Sequence, residues 1–435
     1  MPPPTRNDQT NQPASLPDWL DLLETRHPRA IELGLDRVDA VRRRLGLDFA
    51  CPVVTVGGTN GKGSTCAYLE AVLTDAGYRV GCYTSPHLLH YRERVRVAGE
   101  ELADALHVAA FAAVEAARGD IHLTYFEHGT LAAAWLFRRF GVEAVVLEVG
   151  LGGRLDAVNA FEPDCAVVTS VDLDHQEYLG DTRETIGREK AGIFRAGRPA
   201  VVTDPDPPQS LLKHARMLGA RLLRLGYEIT LESGEGGWAC QVGGRHYPAL
   251  PAPALPGEFQ LANAAAAVAA LDALRVRLPV TMQALRTGLA RARPPGRFQV
   301  VPGSPMIILD VAHNPQAARA LASNLARLTG GRRRLAVLGM LRDKDVAGVV
   351  RPLQPLVDAW FAAGLPGPRG LAGDALRTLL AAEGIKAAGA YTDVPHALKG
   401  ACANAGAADI IIAFGSFYTV AAAAGILDGG CDDVG

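Results

Sequence analysis

The segment that most constrains this chain is a short β-branched run at residues 53–56. It ends in Gly57-Gly58 and gives way within a few residues to a helix-like stretch at 64–76. A strand, a glycine loop and a helix in that order form the opening unit of a parallel α/β sheet. The loop reads Gly57-Gly-Thr-Asn-Gly-Lys62-Gly-Ser64. Glycines here expose backbone N–H groups at the positive end of a helix dipole, an arrangement that cradles phosphate. Lys62 would reach the β- and γ-phosphates, and Ser64 or Thr65 could ligate Mg²⁺. The string departs from GxxxxGK[ST] spacing, since residue 56 is Val and Gly63 separates the lysine from the serine. The alternative is a plain glycine turn with an exposed lysine.

The alternation continues. Strand-like runs at 80–83, 142–149 and 165–171 are interleaved with helix-like segments at 102–117 and 130–140. Before the loop, residues 16–45 read as helical with a kink near Pro28. Residues 203–256 read as a small β-rich elaboration, and 263–274 as an Ala-rich helix. Past the stiff linker Arg291-Ala-Arg-Pro-Pro-Gly-Arg297 the pattern restarts. Strands are expected at 306–309, 335–338, 357–362 and 409–414, and a helix at 315–329. At 435 residues the chain exceeds what one core normally holds. Two domains are expected, 1–295 and 296–435.

A net charge of −2 gives no electrostatic footprint for a nucleic-acid or anionic-membrane partner. The seven cysteines have neither CxxC nor zinc spacing, which suits a reducing cytoplasm. Residues 1–17 are polar and Pro-rich, unlike a signal peptide. Charges or glycines break the apolar stretches before the ~18 residues a membrane helix needs. Only six of the 44 basic residues are lysine. A chain that writes Arg for most cations marks Lys62 and Lys190 as positions where Arg is unsuitable.

Other candidate residues lie just past strand ends, where ligands bind in open α/β sheets. Glu148 ends the run Val145-Val-Leu-Glu148-Val; a buried carboxylate there needs a cation, from a metal or an ion pair. Asp172, Asp174 and His175 follow the next strand. Mg²⁺ prefers oxygen, so the residues alone favour a structural or hydrogen-bonding role for His175. Thr84-Ser-Pro-His-Leu88 and Gly150-Leu-Gly-Gly-Arg-Leu-Asp-Ala-Val-Asn159 read as loops, the second open to ligand binding. Asp310-Val-Ala-His-Asn-Pro315 could touch ligand or cap the following helix. Gly415-Ser-Phe-Tyr-Thr419 is similar.

Together these strings resemble the folylpolyglutamate synthase branch of the Mur ligase family. The match covers almost the whole chain in order. It includes Leu33-Gly-Leu-Asp-Arg37, Gly58-Thr-Asn-Gly-Lys-Gly-Ser64, Thr84-Ser-Pro-His87, Thr124-Tyr-Phe-Glu127, Glu148-Val-Gly-Leu-Gly-Gly-Arg-Leu-Asp156 and Asp174-His175. It continues through Glu189-Lys-Ala-Gly-Ile193, Asn263-Ala-Ala, Gly296-Arg297, the Asp310 string and the Gly415 string. Residues 203–256 match loosely, and Glu258-Phe259-Gln260 departs from the His-Gln pair expected before the Asn.

The resemblance implies an α/β fold, a P-loop-type parallel-sheet ATPase domain followed by a smaller Rossmann-like domain that binds glutamate. It implies that Thr59, Asn60, Gly61, Lys62, Gly63 and Ser64 hold ATP, with Asn263, Arg297 and Asp310 contacting the nucleotide across a cleft. Ser64, Ser85, Glu148 and His175 would bind magnesium, two ions in all, which reverses the reading of His175 from the residues alone. Lys190 matches a position that becomes carbamylated, and Lys62, Lys190 and His175 would serve catalysis. Thr124, Phe126 and Asp156 resemble pterin-side positions, and His313 and Ser416 would place L-glutamate. A neutral lysine can add CO₂ and offer oxygen ligands, which Arg cannot. The alternative for Lys190 is an exposed helix pair with Glu189 or Glu184.

The implied enzyme is a cytoplasmic, monomeric ATP-dependent ligase. It would join glutamate to dihydropteroate or a folyl-glutamate through an acyl phosphate. Two rivals are a cell-wall amino-acid ligase, which would carry a separate UDP-binding domain before the phosphate loop, and a nucleotide switch, which leaves the second α/β half unexplained.

Overall fold

The computed structural model describes residues 13–27, 31–234, 236–254, 257–328 and 332–428. The kink expected at Pro28, the end of the helix expected to reach Thr329, Cys431 and most of the polar N-terminal segment lie outside them.

An eight-stranded sheet is built from β1 (Val53–Gly57), β2 (Val80–Tyr83), β3 (Val95–Val97), β4 (Glu100–Glu101), β5 (Ala144–Glu148), β6 (Cys165–Val168), β7 (Pro199–Val202) and β8 (Arg221–Arg224). Their order is β4-β3-β2-β5-β1-β6-β7-β8. From β2 through β5 and β1 to β8 neighbours run parallel, and the β2–β3 and β3–β4 pairs at one edge are antiparallel. β1, β5 and β6 are buried along their whole length, which is why they read as continuous apolar runs and not as alternating ones.

Helices cover both faces. One face carries the core of Trp19, Val38, Phe111, Phe137 and Ile186. The other packs the helix Lys62–Asp75 against Glu258–Leu274 and Met282–Arg291. Alanine makes this close approach possible: Ala264–Ala267, Ala269 and Ala270 are completely buried. At Gly288 a Cβ would come within 2.5 Å of the Val72 backbone, so only glycine fits that crossing.

Residues 16–45 form two helices, Leu16–Arg26 and Asp36–Leu45, instead of one kinked helix. Residues 31–34, before the second helix, are not helical, and there Gly34 N–H donates to Leu155 O at 3.3 Å. The β-rich elaboration is present as the antiparallel sheet β9 (Ile229–Gly234), β10 (Gly237–Val242) and β11 (Arg245–Pro251). The same region also supplies β8 and a helix, Gln209–Leu218.

A third sheet, in the order β12-β13-β17-β14-β15-β16, comprises β12 (Gln299–Val301), β13 (Met306–Asp310), β14 (Arg334–Leu338), β15 (Ala359–Ala363), β16 (Ala387–Tyr391) and β17 (Ile410–Phe414). It is parallel except at β12. Loops after β1 and β6 meet loops after β13 and β14. The Asn60 and Asn314 side-chain amides pair reciprocally at 3.1 and 3.0 Å. Lys344 Nζ donates to Asp174 Oδ1 at 2.5 Å, and Arg319 reaches Asp172 at 3.3 Å. Among the described residues no helix is long and apolar enough to cross a membrane.

Candidate active site

The glycine loop can follow its path only with glycine at two positions. Gly58 has φ +145°, and a Cβ there would sit 1.9 Å from Thr169 Oγ1. Gly61 has φ +89°, and its Cβ would lie 2.3 Å from Asn263 Oδ1. A side chain is therefore excluded by backbone strain and by contact. Thr59 fastens the loop to the chain after β6, its N–H donating to Ser170 O at 2.7 Å and its hydroxyl to Asp172 O at 3.1 Å. Lys62 folds back over the loop, Nζ donating to Gly58 O at 3.1 Å and Thr59 O at 3.2 Å. Its ammonium thus stays beside the loop backbone.

Gly63 marks where the candidate groups converge. A Cβ built on it would be 3.8 Å from both Glu148 carboxylate oxygens and 3.8 Å from an Arg297 terminal nitrogen. The end of β5, the phosphate loop and the first residues after the linker thus share one point. Asn263 closes it from the helix Glu258–Leu274, held by Gln260 at 3.2 Å. Gln260 also approaches the buried Ser64 hydroxyl at 3.4 Å.

Glu148 is 4% exposed. Its carboxylate accepts the Ser85 N–H at 3.1 Å. Burial raises its pKa, while Lys62 and Arg297 oppose that rise. A buried carboxylate with hydroxyls at hand fits a hard cation. Among the described residues no group of three or more His, Cys, Asp or Glu side chains is placed to hold a metal ion. The donors expected from the sequence, Ser64, Ser85, Glu148 and His175, lean instead on hydroxyls and would need ligand oxygens to complete a coordination shell. His175, at φ +51°, follows β6. Burial, with Lys344 and Lys62 behind it, brings its pKa to about 4 against the pull of Asp174. The imidazole is therefore neutral near pH 7, as a ligand must be.

Lys190 lies on the helix Arg183–Ala191 and is 4% exposed. Burial, then the Lys62 charge, lowers its pKa to about 7. The exposed-pair reading fails here. Glu189 bonds Arg154 at 3.0 Å, and Glu184 accepts the N–H groups of Gln209 and Ser210 at 3.0 and 2.7 Å.

The pterin-side candidates form a separate wall. Thr124 caps the helix Tyr125–Phe140 in a capping box with Glu127, which also pairs with Arg37 at 2.8 Å. Phe126 lies against Gly150, where a Cβ would meet its ring at 2.6 Å. The Asp156 carboxylate accepts from Leu151 N at 2.7 Å and Val158 N at 3.1 Å, and burial raises its pKa to about 7 despite those donors.

From the third sheet, Asp310 ends β13 and accepts the N–H groups of Phe298 and Ala312, both at 2.8 Å. The Arg297 guanidinium lies 5.1 Å from the Phe417 ring centroid, and the His313 ring 6.2 Å from the same ring. Asn314 caps the helix Pro315–Ala326 while pairing with Asn60. Ser416 accepts from Thr419 N at 3.0 Å and shares a hydrogen bond with the Thr419 hydroxyl at 2.8 Å, so its side chain starts the last helix.

The structure adds Lys344 and Gln316, which the sequence reading did not single out. Lys344 and Asp174 form an ion pair with side chains only 8% and 10% exposed. Burial would raise the Asp174 carboxyl, but His313 and Lys344 hold it well below the usual carboxylate range. Gln316 binds Asn60 Nδ2 at 2.6 Å and the Ser170 hydroxyl at 3.1 Å. The scarcity of lysine that pointed to Lys62 and Lys190 applies equally to Lys344.

Residues 56–271 match the Mur ligase middle domain and 296–417 the Mur ligase glutamate ligase domain. The dihydrofolate synthase/folylpolyglutamate synthase of Escherichia coli K12 is 48% identical over 422 residues, 97% of each chain. Its Haemophilus influenzae counterpart is 41% identical, over 95% of this chain and 98% of its own. The structure of the E. coli enzyme with DHPP and ADP superposes with a TM-score of 0.90, covering 96% of this chain and 98% of that one. A bifunctional folylpolyglutamate synthase/dihydrofolate synthase with Mn, AMPPNP and L-glutamate bound, 48% identical, gives 0.89 over 96% and 100%. The chain belongs to the dihydrofolate synthase/folylpolyglutamate synthase family of Mur ligases.

Proposed function

We propose that this chain is an Mg-ATP-dependent ligase that joins L-glutamate to a folate-type carboxylate, either dihydropteroate or a folyl-glutamate. The convergence of the glycine loop, Glu148 and Arg297 at Gly63 carries this reading. In this reading the loop would bind phosphate and Glu148 a metal ion, with Arg297 as a second cation, at a point that residues before and after the linker share.

A carboxylate is a poor electrophile, because its charge repels a nucleophile and oxide is a bad leaving group. In the proposed route the acceptor carboxylate attacks the γ-phosphate of ATP and becomes an acyl phosphate. The glutamate amine then attacks the acyl carbon, and phosphate leaves through a tetrahedral intermediate. Phosphoryl transfer needs positioning and charge neutralisation more than covalent help. The loop residues 59–64, with Lys62 among them, would hold the triphosphate, with Asn263, Arg297 and Asp310 on the nucleotide from the other side. Ser64, Ser85, Glu148, His175 and carbamylated Lys190 would hold magnesium, which supplies further neutralisation of phosphate charge when bound. Thr124, Phe126 and Asp156 would seat the pterin side, and His313 and Ser416 the glutamate.

Residues 1–295 and 296–435 act in this reading as two domains. The contacts of Asn60, Asp172 and Asp174 with Asn314, Arg319 and Lys344 would hold them shut and keep water from the acyl phosphate. The reading includes a cytoplasmic monomer acting on small molecules, with no nucleic-acid or membrane partner. The test is to incubate the protein with dihydropteroate, glutamate and Mg-ATP. Dihydrofolate with ADP and phosphate is expected; AMP with pyrophosphate, or ATP hydrolysis that ignores the acceptor, would overturn the reading.

A further inference from the structure

Among the described residues Arg94 and Lys190 are the only arginine or lysine in the buried set, with Arg94 9% exposed. A guanidinium cannot shed its charge, so burying one without an anion is costly, and neutral neighbours offset that cost only in part. Arg94 has neutral neighbours. Its Nε donates to His87 Nδ1 at 2.8 Å, and its guanidinium carbon lies 5.6 Å from the Tyr91 ring centroid and 5.4 Å from that of Tyr125. A ring nitrogen that accepts from a guanidinium bears no proton, so that imidazole is uncharged. The other close influences on Arg94 are tyrosines, Tyr83 among them, and no described carboxylate forms an ion pair with it.

The neighbouring acids are committed elsewhere. Glu93 accepts the N–H groups of Leu88, Leu89 and His90, each at 2.6 Å. Arg96, two residues on, has the partner that Arg94 lacks: Glu70 takes its Nε at 3.0 Å and a terminal nitrogen at 2.7 Å.

The position of Arg94 narrows the choice of anion. His87 belongs to the loop that contains Ser85, whose N–H is bound to Glu148. Tyr125 stands between Thr124 and Phe126. The cation therefore bridges the metal-side loop and the start of the pterin-side helix, where the carboxyl end of an acceptor would pass.

We propose that Arg94 binds the carboxylate of a folyl-glutamate acceptor's terminal glutamate that is not being activated. The assignment rests on the proposed function and names the group that would separate its two acceptors. Dihydropteroate has a single carboxylate, the reacting one; a folyl-glutamate has two on its terminal residue. Arg94 would thus be a specificity residue for chain extension.

The experiment compares kcat/KM on dihydropteroate and on tetrahydrofolyl-glutamate for the full-length enzyme, Arg94→Gln and Arg94→Lys. The ratio of dihydropteroate to folyl-glutamate efficiency should rise about 10- to 100-fold in Arg94→Gln, mainly through KM for the folyl-glutamate. Arg94→Lys should fall between, since it keeps charge and loses the fork. An unchanged ratio, with both acceptors impaired alike or neither impaired, would overturn the assignment. A second arm avoids the question of folding. Wild-type enzyme is given the terminal-glutamate monoamide that retains the reacting carboxylate, and its KM should rise by a similar factor. Wild-type use of that amide as readily as the parent would equally overturn the assignment. Wild-type failure on both unmodified acceptors would sink the proposed function instead.

Discussion

Replacing Lys344 with methionine tests whether contacts across the cleft govern turnover. Lys344 and Asp174 meet at 2.5 Å with both side chains largely out of solvent. Removing one member of such a pair strands the other charge, at a cost of about 3–5 kcal/mol. Asp174 would retain Asn314 Nδ2 at 3.3 Å and His313 Nε2 at 3.6 Å, so the lower end applies, about 3 kcal/mol. That is about a 100-fold shift away from the closed arrangement. The cores of the two halves do not include this pair, so thermal unfolding should be nearly unaffected. The assay combines initial rates with small-angle scattering on the Mg-ATP complex. Lys344→Met should lose about 100-fold in kcat/KM and stay expanded with nucleotide bound. Full activity with normal compaction would refute the reasoning, and so would a matching fall in melting temperature, which would assign the ion pair to stability instead.

Other outcomes follow from the same geometry. Gly61→Ala, which places a methyl 2.3 Å from Asn263 Oδ1 at φ +89°, should weaken ATP binding about 10- to 100-fold by calorimetry. Lys190→Gln should cut kcat at least about 10-fold, and the wild type alone should lose activity in CO₂-depleted buffer and regain it with bicarbonate. Burial would raise the Glu115 carboxyl, but Arg118 and Arg26 bring it down to about 2 from 4.5. Its ionised form therefore stabilises the fold fully above about pH 4.5, and that contribution is lost as pH falls through about 2. Allowing for solvent screening, Glu115→Gln should cost about 1–2 kcal/mol at pH 7 in denaturant titrations, with the gap closing in acid.

β1, β5 and β17 were legible because burial on both faces writes them as unbroken apolar runs rich in β-branched residues, whereas the short β7 and β8 were not expected as strands. β16 escaped because Ala387-Ala-Gly-Ala-Tyr391 has no β-branched residue and takes its strand form from pairing with β15. The two N-terminal helices read as one, since nothing local in sequence announces the contact of Gly34 with Leu155, 121 residues away. The glycine loop announced itself through φ values that only glycine tolerates. Lys190 could not be placed by local pattern, since its burial comes from contacts distant in sequence, while the nearby Glu184 and Glu189 find other partners in space. Arg94 and the Asp174–Lys344 pair are properties of burial and of contacts distant in sequence, and no spacing encodes them.

The central claim is that ATP activates the acceptor by forming a bond between its carboxylate oxygen and the transferred phosphorus. Dihydropteroate labelled with ¹⁸O in its carboxylate, turned over with glutamate and Mg-ATP, reports that bond directly. Mass spectrometry should find one labelled oxygen in each released phosphate and none in ADP. Unlabelled phosphate, with the heavy atom in AMP or in water, would contradict the account.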